Sequence, residues 1–242
     1  MARRLTRRLA CVLAAAALAV VVKIVRAANG ASVRRIVVFG DSQAEGVALA
    51  LRRAARQCQG LEIQNRTKPG TAISQLSDYD WPAAIKKYAA SEHAAVAVMM
   101  FGGNDRMPIR AEGGHNLGFR TEAWQAVYST RVATMVHDLT AAGIRVVWLG
   151  QPITRDLIYR SDMEYLNGIY RTVLAAEPAA SFVDLWSVIV DAAGGYVSHA
   201  RSAANRVERV RLDDGIHFTP VGYDVIAIRV MQEIEPAQEA AP

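Results

Sequence analysis

The sequence predicts an α/β fold, a parallel sheet covered by helices on both faces. Three observations predict it. Short apolar runs alternate with stretches of helical periodicity from residue 36 to residue 234. The runs are nearly continuous in apolar residues, as in AAVAVMMF at 94–101, which is the pattern of a strand buried on both faces. Glycine-rich polar turns follow the first three runs, where an open parallel sheet places its functional groups.

The elements can be justified in order. Ile36–Phe39 reads as the first strand and Ala44–Gln57 as the helix after it. Leu61–Asn65 is a second strand, closed by the turn KPGTA, and Trp81–Ala90 is a helix. Ala94–Phe101 is the third strand. Thr121–Ala142 is a long amphipathic helix, with Trp124, Val127, Tyr128, Met135 and Leu139 at helical spacing and Gly143 as its stop. Ile144–Gly150 is a strand, Asp162–Ala176 a helix and Ser181–Leu185 a short strand. Residues 186–212 read as irregular and Thr219–Ile234 as the last helix. There is no internal repeat and no low-complexity linker between Val33 and Ile234, which predicts one domain over 32–242.

Residues 1–31 differ in kind. MARRLTRR is basic, and Leu9–Val22 is an uninterrupted apolar run of 14 residues. That length suits the core of a signal peptide and is short for a spanning helix of about 20 residues. Ala27 is a candidate end for cleavage, but Lys23 and Arg26 lie close to it, so a retained N-terminal anchor is the alternative. Either reading sends the domain out of the cytoplasm, to the periplasm or beyond.

The net charge of +5 belongs to this leader. Six of the 28 basic residues lie in 1–31 and none of the 23 acids, so the rest carries 22 bases against 23 acids. The folded part therefore shows no basic excess for binding nucleic acid. Cys58 is the only cysteine after the leader, which excludes an intrachain disulfide and a cysteine-based metal site there. It reads as a small buried hydrophobe.

The opening question of chemistry is Ser42, in VVFGDS. It is a candidate helix N-cap and a candidate nucleophile at a strand-to-helix turn. A nucleophilic serine needs a base, a group to orient that base and donors for an oxyanion. Of five histidines, His93, His115, His137 and His199 read as surface residues. His217 in LDDGIHFTP lies before a helix, three residues after Asp214, where a short turn can bring a carboxylate back to the imidazole. Asn104 in FGGND and the backbone N–H of Gly70 in KPGTA are candidate oxyanion donors. Asp41 reads as an anchor for the turn through backbone N–H groups. The α/β-hydrolase signature Gly-x-Ser-x-Gly is not met, because Ala44 stands at its last position.

Together these residues resemble the SGNH (GDSL-type) hydrolase superfamily. VVFGDS matches its first block, Gly70 its second, GGND its Gly-x-Asn-Asp block and DGIH its Asp-x-x-His block, in the same order, over residues 34–234. GDSQAEG, DMEYLNGIYR and DDGIHFTPVGY resemble in particular a periplasmic or cell-envelope bacterial branch. The resemblance implies a three-layer α/β/α sandwich with a five-stranded parallel sheet. It implies Ser42 as nucleophile, His217 as base, Asp214 as its orienter, and an oxyanion hole of Ser42 N–H, Gly70 N–H and the Asn104 amide. It implies no metal and no cofactor. Gln43 departs from the pattern, standing where the superfamily often has Leu, and is expected to alter the acyl pocket.

The expected activity is hydrolysis of an acyl or acetyl ester, with a small molecule or an O-acylated glycan as substrate. An O-acyltransferase with the same triad and a catalytically silent glycan- or partner-binding protein are the alternatives. Arg106, Arg110, Arg120, Arg201, Arg206, Arg209 and Arg211 are expected to border the site. They form either a basic rim for an anionic or sugar-rich substrate or local ion pairs with nearby acids.

Overall fold

A computed structural model describes residues 34–57, 60–201 and 205–234. The leader, with its expected signal or anchor, and Cys58 lie outside the described residues. No helix among the described residues is long and apolar enough to cross a membrane.

Five strands form one parallel sheet: β1 (Arg34–Gly40), β2 (Leu61–Asn65), β3 (Val96–Met100), β6 (Arg145–Leu149) and β7 (Ala180–Val183), in the order β2-β1-β3-β6-β7. This is the doubly wound order, whose switch point lies between β1 and β3. Ile36 pairs with Ile63 on one side and Val96 on the other, so β1 is an interior strand between β2 and β3.

The faces follow the period of two. Ile36, Val38, Val98 and Val147 point into one core, and Val37, Phe39, Met99 and Trp148 into the other. Helices α1 (Ser42–Ala55) and α5 (Pro220–Ile234) cover the first face. Helices α2 (Trp81–Ser91), α3 (Glu122–Ala141) and α4 (Leu157–Leu174) cover the second. The result is the expected three-layer α/β/α sandwich with five parallel strands.

Gly40 makes the first turn possible. Its φ is +141°, and a Cβ there would sit 1.9 Å from the Met100 carbonyl oxygen. Only glycine lets β1 end this close to β3 and start α1 in the next two residues.

Two expectations need correction. Helix α4 starts at Leu157, five residues before the predicted Asp162, with Asp156 as cap accepting the Tyr159 N–H. Leu157 and Ile158 are 70% and 75% exposed, so the first turn has no buried side chain to create an apolar period. Residues 186–212 are not wholly irregular, because β8 (His199–Arg201) pairs antiparallel with β9 (Val207–Arg209). A second small ribbon, β4 (Ile109–Arg110) with β5 (Asn116–Leu117), lies between β3 and α3. Ribbons of two or three residues are too short to show alternation.

Candidate active site

The first surprise is the cap of α1. The Asp41 carboxylate accepts the Gln43 N–H at 2.9 Å, so Asp41 is the N-cap and Ser42 is the first helical residue. The Ser42 hydroxyl is thereby free of capping. Its backbone N–H is among the first donors of the helix, which have no intrahelical acceptor, at the positive end of the dipole.

Ser42 Oγ lies 2.7 Å from His217 Nε2, across 175 residues of sequence. His217 Nδ1 lies 2.7 Å from Asp214 Oδ2. An ionised carboxylate only accepts, so Nδ1 carries the proton in the neutral ring and Nε2 faces Ser42 as an acceptor. Asp214 is held in turn, because its Oδ1 accepts the N–H groups of Ile216 at 2.8 Å and His217 at 3.0 Å. Partial burial opposes its charge, but these N–H donors and the imidazole outweigh it and hold the carboxyl below the usual range.

The Asp214 turn is supported from beneath by Arg211, a buried cation. Its two terminal nitrogens donate to Ile216 O at 2.8 Å and Ile153 O at 2.7 Å, and its guanidinium lies 3.6 Å from the Phe218 ring centroid. Burial lowers its pKa to about 10, which still leaves it charged at neutral pH. Arg155 packs against Gly215 and donates to Asp213 O at 2.7 Å, bracing the turn from the α4 side.

The two other expected donors are tied to the turn that carries Ser42. Lys68 N–H donates to Gly40 O at 2.8 Å, which docks the turn bearing Gly70 beside the end of β1. The Asn104 amide donates to Thr71 O at 3.0 Å, next to Gly70, and this leaves its second N–H unspent. Gly70, with φ of +79°, is exposed, and Asn104 is half-buried. Ser42, Gly70 and Asn104 thus come together beyond the carboxyl ends of β1, β2 and β3, with Asp214 and His217 reaching the same place from the segment before α5.

Gln43 does not enter the acyl pocket, contrary to expectation. It is 1% exposed and turns inward, donating to Gln151 Oε1 at 2.9 Å. Two acids are buried close behind the site. Burial pushes the Asp41 carboxyl up to about 6, against the Gln43 and Gly103 N–H groups and the His217 charge. Burial pushes Asp105 up to about 7, against the Ser74 N–H and with the Asp41 charge adding to the rise.

Four of the seven arginines pair locally with acids. Arg106 and Arg120 both pair with Asp162, at 3.4 and 3.1 Å. Arg206 pairs with Glu208 and Arg209 with Asp213, while Arg201 donates to Asn205 O. Arg110 is exposed in β4. His93, His115 and His199 are exposed, and His137 faces Glu177 at 3.4 Å, all as expected of surface residues. Among the described residues no group of three His, Cys, Asp or Glu is placed to hold a metal ion.

Sequence reasoning missed three contributors: Arg211 as a buried brace, Arg155 over Gly215, and Gln151. None lies in a block that carries the chemistry, and their partners are backbone carbonyls or a distant amide.

No curated protein matches the chain. Among solved structures it is similar to a GDSL-like lipase from Bacteroides thetaiotaomicron, at 18% identity over 83% of this chain and 87% of that one, with a TM-score of 0.55. It is similar also to an acetylxylan esterase from Geobacillus stearothermophilus, studied as a catalytic mutant, at 14% identity over 87% of this chain and 98% of that one, with a TM-score of 0.56. Residues 35–233 match the model of one family, described as protein of unknown function (DUF459). The chain therefore belongs to that family, and it is built on the SGNH (GDSL-type) hydrolase fold.

Proposed function

We propose that this protein is an extracytoplasmic serine ester hydrolase acting through an acyl-Ser42 intermediate. The observation that carries the reading is the relay Ser42–His217–Asp214, with both links at 2.7 Å, at the carboxyl end of the sheet. His217 Nε2 takes the Ser42 proton as Oγ attacks the ester carbonyl. The oxyanion that forms is met by the Ser42 and Gly70 N–H groups and the Asn104 amide. Its collapse breaks the ester C–O bond, and His217 returns the proton to the leaving alcohol. Water then attacks acyl-Ser42, giving up a proton to His217, and the carboxylic acid leaves with Ser42 restored.

The fold neighbours described as lipase and acetylxylan esterase support ester chemistry. The basic, then apolar, leader supports export, and an exported site favours O-acylated glycan over cytosolic thioesters. The pairing of the arginines with Asp162, Glu208 and Asp213 supports an uncharged acyl acceptor side over a polyanion.

The test is turnover of p-nitrophenyl acetate and of acetylated oligosaccharides by the wild type and by Ser42→Ala, with products analysed for transfer to sugar hydroxyls. Release of acetate by the wild type and its loss in folded Ser42→Ala support the reading. Equal turnover in both overturns the nucleophile assignment. Acetyl transfer to sugar without acetate release would make the protein an O-acyltransferase instead.

A further inference from the structure

The buried amides behind Ser42 have no part in the relay, yet they join the Ser42 turn to the Asn104 turn. Gln43, next to Ser42, donates from Nε2 to Gln151 Oε1 at 2.9 Å. Gln151 is fully buried and donates from Nε2 to Phe101 O at 2.7 Å. Phe101 O also accepts the Tyr170 hydroxyl at 3.1 Å. Gln151 is itself clamped by Asn167, whose Oδ1 accepts the Gln151 N–H at 2.7 Å and whose Nδ2 donates to Gln151 O at 2.8 Å.

The direction of this chain is set by one group. A carbonyl can only accept, so Gln151 must present its NH2 to Phe101 O and its oxygen to Gln43, and Gln43 must then present its NH2. Phe101 opens the turn Gly102-Gly103-Asn104. That turn lies directly on the bridge, since a Cβ on Gly102 would come within 2.8 Å of Gln151 Cγ and one on Gly103 within 3.3 Å of Gln43 Nε2. The buried Gln43 oxygen accepts no hydrogen bond from the protein, a cost that its donor does not offset. A Leu or Met of similar volume would avoid that cost, so what Gln43 contributes is its donor.

We propose that Gln43 and Gln151 are a positioning pair that fixes the Ser42 turn against the Asn104 turn, and so sets nucleophile and oxyanion donor at the spacing the transition state needs. Neither residue touches substrate. The inference rests on the serine-hydrolase reading, and it assigns Gln43 to positioning rather than to acyl preference.

The experiment compares Gln43→Met, Gln151→Met, the double variant and Gln151→Glu in the full-length protein, with Val47→Ala in the α1 core as a destabilised control. Readouts are kcat and KM on p-nitrophenyl acetate, the rate of Ser42 labelling by a fluorophosphonate, and Tm. Each Met variant should lose about 10- to 100-fold in kcat and in labelling rate with KM changed less than about twofold, the size of effect expected from a displacement near 1 Å. The double variant should be no worse than the poorer single one, because a single bridge is broken. Gln151→Glu can make both contacts when its carboxyl is protonated, so its rate relative to wild type at the same pH should rise as pH falls. Val47→Ala should keep kcat despite its lower Tm. Wild-type rates in folded Gln43→Met or Gln151→Met, or an equal loss in Val47→Ala, overturn the positioning role. A wild type that neither turns over nor is labelled at Ser42 overturns the hydrolase reading itself.

Discussion

Asp41 accepts the Gln43 N–H at 2.9 Å, and by capping α1 it releases the Ser42 hydroxyl to His217. Asp41 Oδ1 fills the cap position, so the helix start does not need the Ser42 hydroxyl as its cap. Asp41→Ala should cost about 1–2 kcal/mol of stability through the lost cap. It should also lower kcat, because the Ser42 hydroxyl becomes the nearest replacement cap. Asp41→Asn, which keeps the acceptor, should recover most of both. Urea unfolding together with ester turnover checks this, and equal activity in the Ala and Asn variants would count against it.

Asp41 and Asp105 give the protein an unusual pH dependence. Their folded pKa values, about 6 and about 7, lie above the ordinary carboxylate value of 3.8. The folded state therefore binds more protons than the unfolded chain between those values, and their contribution to stability falls as pH rises from about 4 to about 7. Asp214 acts in the opposite sense, since its lowered pKa means stability is lost as pH falls through it. Asp105→Asn should flatten the decline and raise Tm at pH about 8, while leaving the acid limb unchanged. Tm measured against pH for both proteins decides this, and parallel curves would contradict it.

Asn104 and Asp214 should fail differently. Asn104→Ala removes an oxyanion donor and should cost about 10²–10³ in kcat with little change in KM. Asp214→Asn no longer secures the Nδ1–H tautomer of His217, and should cost up to about 10⁴. Asp214→Asn keeps an oxygen for the two backbone N–H groups that Oδ1 accepts in its turn, so the variant should lose little stability. Steady-state kinetics with thermal unfolding separate the two, and an Asn104→Ala enzyme at wild-type kcat would remove Asn104 from the hole.

Arg211 sits apart from the reacting atoms but carries the turn that holds the base. Arg211→Met leaves Ile216 O and Ile153 O without their donors in a buried place, and should destabilise by about 2–4 kcal/mol. Its kcat should drop with it as the Asp214 turn loosens. Arg209→Met, which loses an exposed pair with Asp213 and one bond to Arg211 O, should cost less, about 1 kcal/mol. Similar Tm shifts in the two variants would contradict this account of the turn.

The candidate site was legible because each group proposed to react sits in a short block with its own signature. VVFGDS, GGND and DGIH carry the proposed nucleophile, a proposed donor and the proposed base with its orienter, and apolar runs between them give the strands that bring them together. The supports were not legible, for physical reasons. Gln43 and Gln151 are 108 residues apart, and an amide pair carries no periodicity or charge to betray it. Gln43 looked like a pocket residue because it adjoins Ser42, but the helical turn sends its side chain into the core. Arg211 looked like part of a basic stretch, yet it is the one arginine of that stretch drawn inside, by carbonyls that a sequence does not display. The first turn of α4 was lost because Leu157 and Ile158 are exposed, so hydrophobicity there marks no face.

The central claim is that Ser42 becomes acylated during turnover. The most direct measurement is rapid quenching of a reaction with p-nitrophenyl acetate, followed by intact-protein mass and peptide mapping. A burst of p-nitrophenol matched by one acetyl group on the peptide bearing Ser42, absent from Ser42→Ala, is the result predicted. Turnover that proceeds with no acetyl on Ser42, or an equal burst in Ser42→Ala, would contradict it.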